Sequence, residues 1–373
     1  MKIAYISGSY LPSRQANSIH VMRMTSAMAE LGHEVVLYGY AGKQETAEED
    51  IAKFYGVDSN VRFQRMVPRR SPIGRELQYA WQIRSIVAAQ KPDLIYGRHM
   101  LGLLSCVKLA PTIYETHAAR TGINGYLEAW LLRQKNVRSI VAITNALAND
   151  LRTQRRLKAP VIVEPDAVTP VDYEHITPAS LSGSGQLKIG YCGHLYPGRG
   201  GELLIEVARQ RPDYDFHFVG GEPTDIDRLR VLAAGTANIF FHGFVAPQEV
   251  ATYLAAFDLL VAPYQKRVEV HGGSDTSRWM SPMKLFEYMD AGKPIVISNL
   301  PALSEVVTNE QQALLIDPED TTAWCRALDR LTDSGFRQRL GENARQLVRQ
   351  RYTWKLRVER ILNRFSSDGG ASQ

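Results

Sequence analysis

Short apolar runs alternate along the chain with longer segments in which apolar residues recur every three or four positions. The short runs are rich in β-branched and aromatic residues and are bounded by turn-forming residues, which is typical of buried strands. The longer segments, among them residues 18–33, 74–90 and 145–157, have the spacing of amphipathic helices. Continuous apolar strands between helices indicate a parallel sheet covered on both faces, so the pattern predicts an α/β fold.

The alternation of strands and helices occurs twice. One series begins with KIAYIS at residue 2, and a second begins with KIGYCG at residue 188, after the Gly/Ser-rich segment 181–186. A chain of 373 residues is long enough for two domains. We therefore predict two doubly wound Rossmann-like domains, over residues 1–183 and 187–352, which face a cleft at the carboxyl ends of their strands.

The composition is that of a globular protein, with 45% apolar and 22% charged residues. The three cysteines are far apart in the chain, so we expect no disulfide framework and a reducing compartment. The first apolar run is too short for a signal peptide, and no segment approaches the roughly 20 apolar residues that span a bilayer. These features predict a cytoplasmic protein.

The positive charge is concentrated in the first half of the chain. Residues 1–183 contain 22 Lys and Arg residues against 16 Asp and Glu residues, whereas the remainder contains 22 against 23. Two basic groups stand out, at Arg62–Arg75 and at Arg152–Lys158. Such a surface suits nucleic acid, an anionic membrane or a phosphorylated substrate, and it is equally compatible with solvated helix faces.

Three sequence features suggest ligand contacts at strand ends. Gly8 follows the first strand and precedes a helix predicted to start near Asn17–Ser18, whose N–H groups suit an anion or a hydroxyl. His117 ends the strand TIYETH. In the second domain Gly193 follows a strand and Arg199 opens a helix, where its charge opposes the helix dipole unless an anion binds there. The spacing of a dinucleotide-binding or P-loop motif is absent, which disfavours a dehydrogenase and a P-loop NTPase.

The segment SPMKLFEYM places Lys284 and Glu287 on one face of a predicted helix. They form either an exposed ion pair or a binding pair, in which Glu287 accepts ribose hydroxyls and Lys284 neutralises phosphate. The segment TDIDR resembles an Asp-x-Asp metal motif, but capping by Asp225 is the favoured interpretation over metal binding with Asp227. We expect no metal and no cofactor, because no residue set has metal-ligand spacing.

In order along nearly the full length, the chain contains GSYLP, YETH, GHLYPGRGGELLIEVA, FHFVGGEP, FFHGFVAPQEV, SPMKLFEYMDAGKP and RYTW. Together these motifs resemble the family-4 retaining glycosyltransferases of the GT-B fold, the group 1 glycosyltransferases, and a branch with an SPxKLFEYM motif. The resemblance implies an acceptor-binding first domain, a donor-binding second domain and a C-terminal helix at about 353–366 that returns to the first domain. The donor would be a nucleotide sugar.

The resemblance also implies roles for individual residues. Catalytic roles fall to His117, Arg199 and Lys284. Donor binding falls to Gly8, Gly193, His194, Gly220, Gly243, Phe244, Val245, Ser281, Met283 and Glu287. Candidates for the acceptor side are Ser9, Tyr10 and Asn17.

Two positions depart from the family pattern. Trp279 stands where the family has the first of two glutamates, so Asp275, Ser281 or the backbone of Met280–Met283 must bind the sugar hydroxyls instead. His194 stands where arginine is frequent.

The predicted function is metal-independent, retaining transfer of a hexose from a nucleotide diphosphate sugar, UDP ahead of GDP, to a glycan or a lipid-linked glycan. A nucleotide-sugar epimerase of the same fold and a silent sugar-nucleotide or glycan-binding subunit are the alternatives. We expect no nucleic-acid partner, and peripheral contact with the inner face of an anionic membrane stays open.

Overall fold

The computed structural model describes residues 1–42, 48–57, 61–67, 72–268 and 275–369. The chain forms two compact units. The first consists of Met1–Pro165 together with Trp354–Gln373, and the second is Asp166–Thr353. The segment 181–186, predicted as the linker, lies in the second unit ahead of its first strand.

The first unit is built on a parallel sheet of seven strands in the order β3-β2-β1-β4-β5-β6-β7. The strands are β1 (Lys2–Leu11), β2 (Glu34–Ala41), β3 (Arg62–Met66), β4 (Leu94–Gly97), β5 (Thr112–Thr116), β6 (Val137–Ala142) and β7 (Val161–Val163). Its helices are α1 (Ala16–Glu30), α2 (Glu48–Tyr55), α3 (Pro72–Gln90), α4 (Met100–Cys106), α5 (Gly122–Leu131), α6 (Asn145–Gln154) and the last helix of the chain, α14 (Trp354–Gly369).

The helices of the first unit divide between the two faces of this sheet. Crossovers between parallel strands are right-handed, so α1 and α2 cover one face while α3, α4, α5 and α6 cover the other. The helix α14 packs against α1 and β6. The predicted return of the C-terminal helix to the first domain is therefore confirmed.

The second unit has a parallel sheet of six strands in the order β10-β9-β8-β11-β12-β13. The strands are β8 (Lys188–Cys192), β9 (Asp215–Val219), β10 (Ile239–Gly243), β11 (Leu259–Ala262), β12 (Ile295–Ser298) and β13 (Leu314–Ile316). The helices are α7 (Gly201–Gln210), α8 (Pro223–Leu232), α9 (Val250–Ala256), α10 (Met283–Asp290), α11 (Pro301–Ser304), α12 (Thr321–Arg330) and α13 (Ser334–Arg351).

The predicted fold class, two doubly wound parallel α/β domains, is confirmed. In each sheet the strand order reverses direction at one place, between β1 and β4 and between β8 and β11. Ligands of open parallel sheets bind outside the carboxyl ends of the strands at such a reversal. Among the residues that the structure describes, none of the helices has the length and apolar content needed to cross a membrane.

The sequence did not predict β3, α2, α4 or α5. The strand β3 is the edge strand of the first sheet, and three of its five residues are arginine or glutamine. Only Phe63 and Met66 are buried there, so the strand lacks the continuous apolar run of the central strands. The basic residue Arg62, assigned above to a basic group, is exposed on this strand and pairs with Glu34 at 2.8 Å.

Candidate active site

At the strand-order reversal of the second sheet, Gly193 brings the backbone close to a lysine. Its φ is +134°, and its N–H donates to the Val219 carbonyl at 2.8 Å. A Cβ at this position would lie 2.9 Å from Nζ of Lys284. The sequence therefore has glycine where the turn after β8 must leave room for that ammonium group.

The helix α10 places the Lys284 side chain next to the end of β8, beside Tyr191 and Gly193. Tyr288, one turn further along α10, accepts a hydrogen bond from the Cys192 N–H at 2.7 Å and fixes the helix against that strand. Nζ of Lys284 lies 3.8 Å from the ring centroid of Tyr191 and 5.3 Å from that of Tyr264. It is buried and has no hydrogen-bond partner among the described residues. Burial, together with the positive charge of Arg199, holds the pKa of Lys284 well below its usual value.

A second cation, Arg199, shares the ring of Tyr264 with Lys284. Its Cζ lies 5.2 Å from that centroid and 4.6 Å from the centroid of Tyr196, whose hydroxyl it also contacts. Gly200 follows with φ +84° as the N-cap of α7, and a Cβ there would overlap the Pro263 carbonyl oxygen. Two cations and a helix N-terminus at one sheet edge form a site suited to an anion with several oxygens.

Glu287 lies on the same helix as Lys284 and is half-buried. Its negative charge raises the pKa of Lys284 against the effect of burial, so the two groups are close enough to interact. The exposed ion pair considered from the sequence is nevertheless not what forms, because the Lys284 ammonium is buried and makes no hydrogen bond to a described residue. Glu287 is thus placed beside the cation site, close enough for its charge to act on Lys284 without a hydrogen bond between them.

The other predicted donor residues border the same strand ends. Gly220 donates its N–H to the Gly243 carbonyl at 2.6 Å, and both have positive φ, +102° and +74°. Phe244, next in the chain, is 48% exposed, and Val245 packs against the core. The His194 carbonyl accepts a hydrogen bond from Tyr191 at 2.5 Å.

The structure bears on the residues predicted to replace the missing glutamate. Ser281 Oγ accepts the Asp166 N–H at 2.7 Å, just before Met283 begins α10. Asp275 Oδ1 accepts the N–H groups of Val268 at 3.0 Å and Ser277 at 2.9 Å. Asp275 thus holds the backbone on both sides of the stretch 269–274, whereas Ser281 joins the segment before α10 to the backbone of Asp166. Trp279 lies in that segment, and the stretch 269–274 is outside the described residues.

In the first unit, Gly8 lies within β1 and not in a turn after it. The prediction of a turn was wrong because β1 continues to Leu11, with a register irregularity between Ile6 and Tyr10. A Cβ at Gly8 would lie 2.7 Å from Cδ2 of His99, so glycine is required by the approach of that ring.

The sequence did not single out His99 or Glu76. His99 follows β4, accepts the Gly102 N–H on Nδ1 at 3.0 Å, and contacts Glu76 through Nε2 at 2.6 Å. Their position across the strand-order reversal from Gly8 makes them part of the candidate site.

The acceptor-side candidates lie around the end of β1. Asn17 is in α1, which begins at Ala16, and its Nδ2 donates to Ser9 Oγ at 2.6 Å. The Tyr10 hydroxyl accepts from Arg75 at 2.9 Å. The structure therefore links Asn17 to Ser9, and it gives Tyr10 a basic partner from α3.

His117 follows β5 and is held by a buried carboxylate. Its Nε2 lies 2.8 Å from Oε1 of Glu115, and its ring meets that of His20 edge-on at 4.8 Å. Glu115 is fully buried, and the guanidinium of Arg357 on α14 donates to both of its oxygens. Burial alone would raise the pKa of the Glu115 carboxyl, but Arg357 and the two histidines hold it well below the usual value.

His20, Glu115 and His117 offer metal-ligand atoms that lie within 4.8 Å of one another, the single group of three or more among the described residues. Sequence spacing could not reveal this group, because His20 lies on α1, far along the chain from Glu115 and His117 at the end of β5. Arg357 donates to both Glu115 oxygens and places a positive charge beside them, an arrangement that opposes a second cation.

Asp225 lies in the first turn of α8, whose N-cap is Glu222, so the predicted cap by Asp225 was wrong.

The basic groups are only partly available to a partner. Arg75 contacts Tyr10 and Glu76, and Arg155 contacts Glu128 at 3.4 Å and the Arg120 carbonyl. Arg69 and Arg70 lie outside the described residues.

The two parallel α/β units and the positions of these residues define the GT-B fold class. Residues 18–170 match the family model described as Glycosyltransferase Family 4, and residues 186–334 match the model described as Glycosyl transferases group 1. The chain therefore contains, in order, the two domains of the GT-B glycosyltransferases. The narrower branch with an SPxKLFEYM motif stays a prediction.

The curated relatives match parts of the chain. A Bacillus subtilis glycosyltransferase named for teichuronic acid biosynthesis, TuaH, is 31% identical over 34% of this chain and 30% of its own length. The 2-deoxystreptamine glucosyltransferase of Streptomyces kanamyceticus is 28% identical over 56% of this chain and 54% of its own length. This chain spans 30% to 44% of the length of the first three curated relatives.

Solved structures match over almost the whole chain. A glycosyltransferase from Rickettsia africae has a TM-score of 0.75 at 13% identity and covers 98% of both chains. Anabaena HepE in complex with UDP and glucose has a TM-score of 0.68 at 17% identity, over 98% of this chain and 100% of that chain. At these identities the likeness establishes the fold.

Proposed function

We propose that this protein is a hexosyltransferase that moves a hexose from a nucleotide diphosphate sugar to a glycan or a lipid-linked glycan. The observation that carries the proposal is the buried ammonium of Lys284, which has no hydrogen-bond partner among the described residues and shares the Tyr264 ring with Arg199. A buried amine without a hydrogen-bond acceptor is costly to protonate, and a diphosphate would supply both acceptors and negative charge. UDP is the favoured nucleotide, since HepE was solved with UDP.

Each part of the nucleotide-sugar donor has proposed binding residues in the second unit. Arg199 and Lys284 stabilise the charge that develops on the diphosphate as its bond to the sugar breaks, which is electrostatic catalysis. Glu287 accepts hydrogen bonds from the ribose hydroxyls, and the backbone of residues 243–245 contacts the base. Because these cations occupy the place of a metal, the reaction needs none.

The first unit contributes the acceptor side in this proposal. His117 is the catalytic candidate of this unit, and Glu115 holds its Nε2 in one orientation. Ser9, Tyr10 and Asn17 are the candidates for acceptor contacts around Gly8. As the bond between the anomeric carbon and the phosphate breaks, the acceptor oxygen bonds to that carbon on the same face. A phosphate oxygen of the leaving group takes the acceptor proton, so the anomeric configuration is retained. A lipid-linked acceptor would place the protein at the inner face of a membrane.

Three measurements test the proposal. A thermal-shift screen of UDP, GDP and ADP identifies the nucleotide, because a ligand that binds the folded state raises the melting temperature. Nucleotide release that requires an acceptor supports a transferase. Sugar isomerisation without an acceptor would instead indicate an epimerase, and binding without turnover a silent subunit. An NMR coupling constant that reveals inversion at the anomeric carbon would refute the retaining mechanism.

A further inference from the structure

The helix α5 exposes three large apolar side chains and buries its one charged side chain, while Leu131 at its end is also buried. Ile123, Tyr126 and Trp130 are 80%, 81% and 56% exposed, and their spacing of three and four residues places them on one side of the helix. We call these three residues the α5 face. On the opposite side Gly125 and Glu128 are buried. An amphipathic helix that packs on a core has the reverse arrangement.

Specific contacts of Glu128 hold α5 in this orientation. Its carboxylate accepts hydrogen bonds from the Tyr114 hydroxyl at 2.9 Å and from Arg155 at 3.4 Å. Gly125 leaves room for the Arg120 carbonyl, since a Cβ there would lie 2.7 Å from that oxygen. The buried polar side fixes the helix to β5 and the end of α6, and the apolar side is left in solvent.

The surroundings of the α5 face are basic. The bond from Arg155 to Glu128 brings the exposed Arg156 and Lys158 beside α5, and Arg133 and Lys135 follow it directly. Residues 71–160 contain thirteen Lys and Arg residues against five Asp and Glu residues, three of which are buried. The helix α3, on the same face of the sheet and separated from α5 by α4, exposes Leu77 and Trp81.

We propose that the α5 face docks on an anionic lipid surface, with its apolar side chains at the headgroup level and the surrounding basic residues on the lipid phosphates. Tyr and Trp favour this interface because their rings are apolar and their polar ends stay hydrated. Anionic lipid complements the charge of this surface, whereas a second copy of the same basic surface would repel it. The inference deepens the proposed function, since it rests on a lipid-linked acceptor being presented at such a surface.

The test is sedimentation of the full chain with vesicles of phosphatidylcholine, with and without phosphatidylglycerol, at several salt concentrations. The wild type should sediment with the anionic vesicles and lose binding as salt rises. Replacing the α5 face by serine, as Ile123→Ser, Tyr126→Ser and Trp130→Ser together, should reduce binding at least about tenfold. Arg156→Gln with Lys158→Gln should cost roughly fivefold for each basic side chain.

Matched controls lie in the second unit. Val231→Ser with Leu232→Ser removes exposed apolar side chains of α8, and Arg209→Gln with Arg230→Gln removes exposed basic ones. Both control pairs should sediment like the wild type. Equal recovery with neutral and anionic vesicles, or full binding by the serine variant, would overturn the proposal, as would a dimer that the serine variant abolishes. The thermal shift with UDP reports the proposed function separately, and it should be the same in all these variants.

Discussion

Arg357 donates through Nη2 to Oε1 of Glu115 at 3.0 Å, and neither side chain is exposed to solvent. The two residues are 242 positions apart, on α14 and β5. Arg357 also donates to the main-chain carbonyls of Pro165 at 2.7 Å and Glu164 at 3.0 Å. One buried guanidinium therefore joins the last helix to the centre of the first sheet and sets the charge beside His117.

Arg357→Met should destabilise the protein by about 3–5 kcal/mol, because it leaves the Glu115 carboxylate buried without its cation. Urea unfolding followed by circular dichroism measures the loss. Arg62→Met is the control, since its pair with Glu34 is largely exposed and should contribute at most about 1 kcal/mol. Equal losses of stability in the two variants would show that the buried Arg357–Glu115 pair contributes no more than the exposed Arg62–Glu34 pair.

The loss of folding stability caused by Arg357→Met should depend on pH. In the wild type the pKa of Glu115 is lowered, so its stabilising effect is present above the usual carboxyl range and disappears as the pH falls through the folded-state value. In the variant the pKa of Glu115 is higher than in the wild type, because Arg357 no longer opposes the effect of burial, and the penalty vanishes once the carboxyl is protonated. The stability difference should therefore narrow as the pH falls from neutrality, and a constant difference would contradict the role of charge.

Lys284→Met should make the protein more stable and bind nucleotide less tightly. The folded protein binds the Lys284 proton less well than the unfolded chain does, so the wild type is penalised at neutral pH and gains stability as the pH rises towards the usual lysine value. Methionine removes that penalty, and the melting temperature should rise by roughly 2–4 °C for each kcal/mol gained. UDP affinity should fall by about 1.5–3 kcal/mol in calorimetry.

The control for Lys284→Met is Lys293→Met. Burial also lowers the pKa of Lys293, but its Nζ donates to the Ala255 carbonyl at 2.9 Å. This variant should lose stability and keep its UDP affinity. If the two variants changed stability and UDP affinity in the same way, the result would contradict a role for Lys284 in anion binding.

Glu287→Ala should weaken UDP binding by about 1–3 kcal/mol, the usual loss for hydrogen bonds to a charged group, while folding survives. The sharper comparison uses 2′-deoxy-UDP. The wild type should prefer the ribonucleotide, and the variant should bind the two nucleotides nearly equally. A preference that persists in the variant would exclude Glu287 as the ribose acceptor.

If Arg199 and Lys284 neutralise the diphosphate in place of a metal, as proposed, transfer activity should persist in excess EDTA. The measurement is nucleotide release with a chelator and with added Mn²⁺. Complete loss that Mn²⁺ restores would refute metal independence. It would direct attention to His20, Glu115 and His117, and to Asp225 and Asp227.

Residues close together in sequence were predicted better than residues that meet through folding. Lys284 and Glu287 were paired from their helical spacing, and their place at a strand end followed from the order of elements. The contact between Arg357 and Glu115 was out of reach, because no local pattern connects residues on separate elements. His99 was missed for the same reason, since only the pairing of β1 with β4 brings it to Gly8.

The helix α5 shows a different limit of sequence reasoning. Its apolar residues were not recognised as a helix because they occupy both sides, with Leu131 inside and Ile123, Tyr126 and Trp130 outside. The periodicity of apolar residues reveals a helix when its buried side is apolar. In α5 the buried side contains Glu128.

The first unit is interrupted in the chain by the second, and this interruption has a consequence for synthesis. At the usual rate of about 5–20 residues per second, a ribosome needs on the order of ten seconds or more to proceed from Glu115 to Arg357. During that interval the first sheet is without α14, and Glu115 is without its guanidinium. The second unit, complete at Thr353, is finished first, so the domain begun earliest on the ribosome is the last to close.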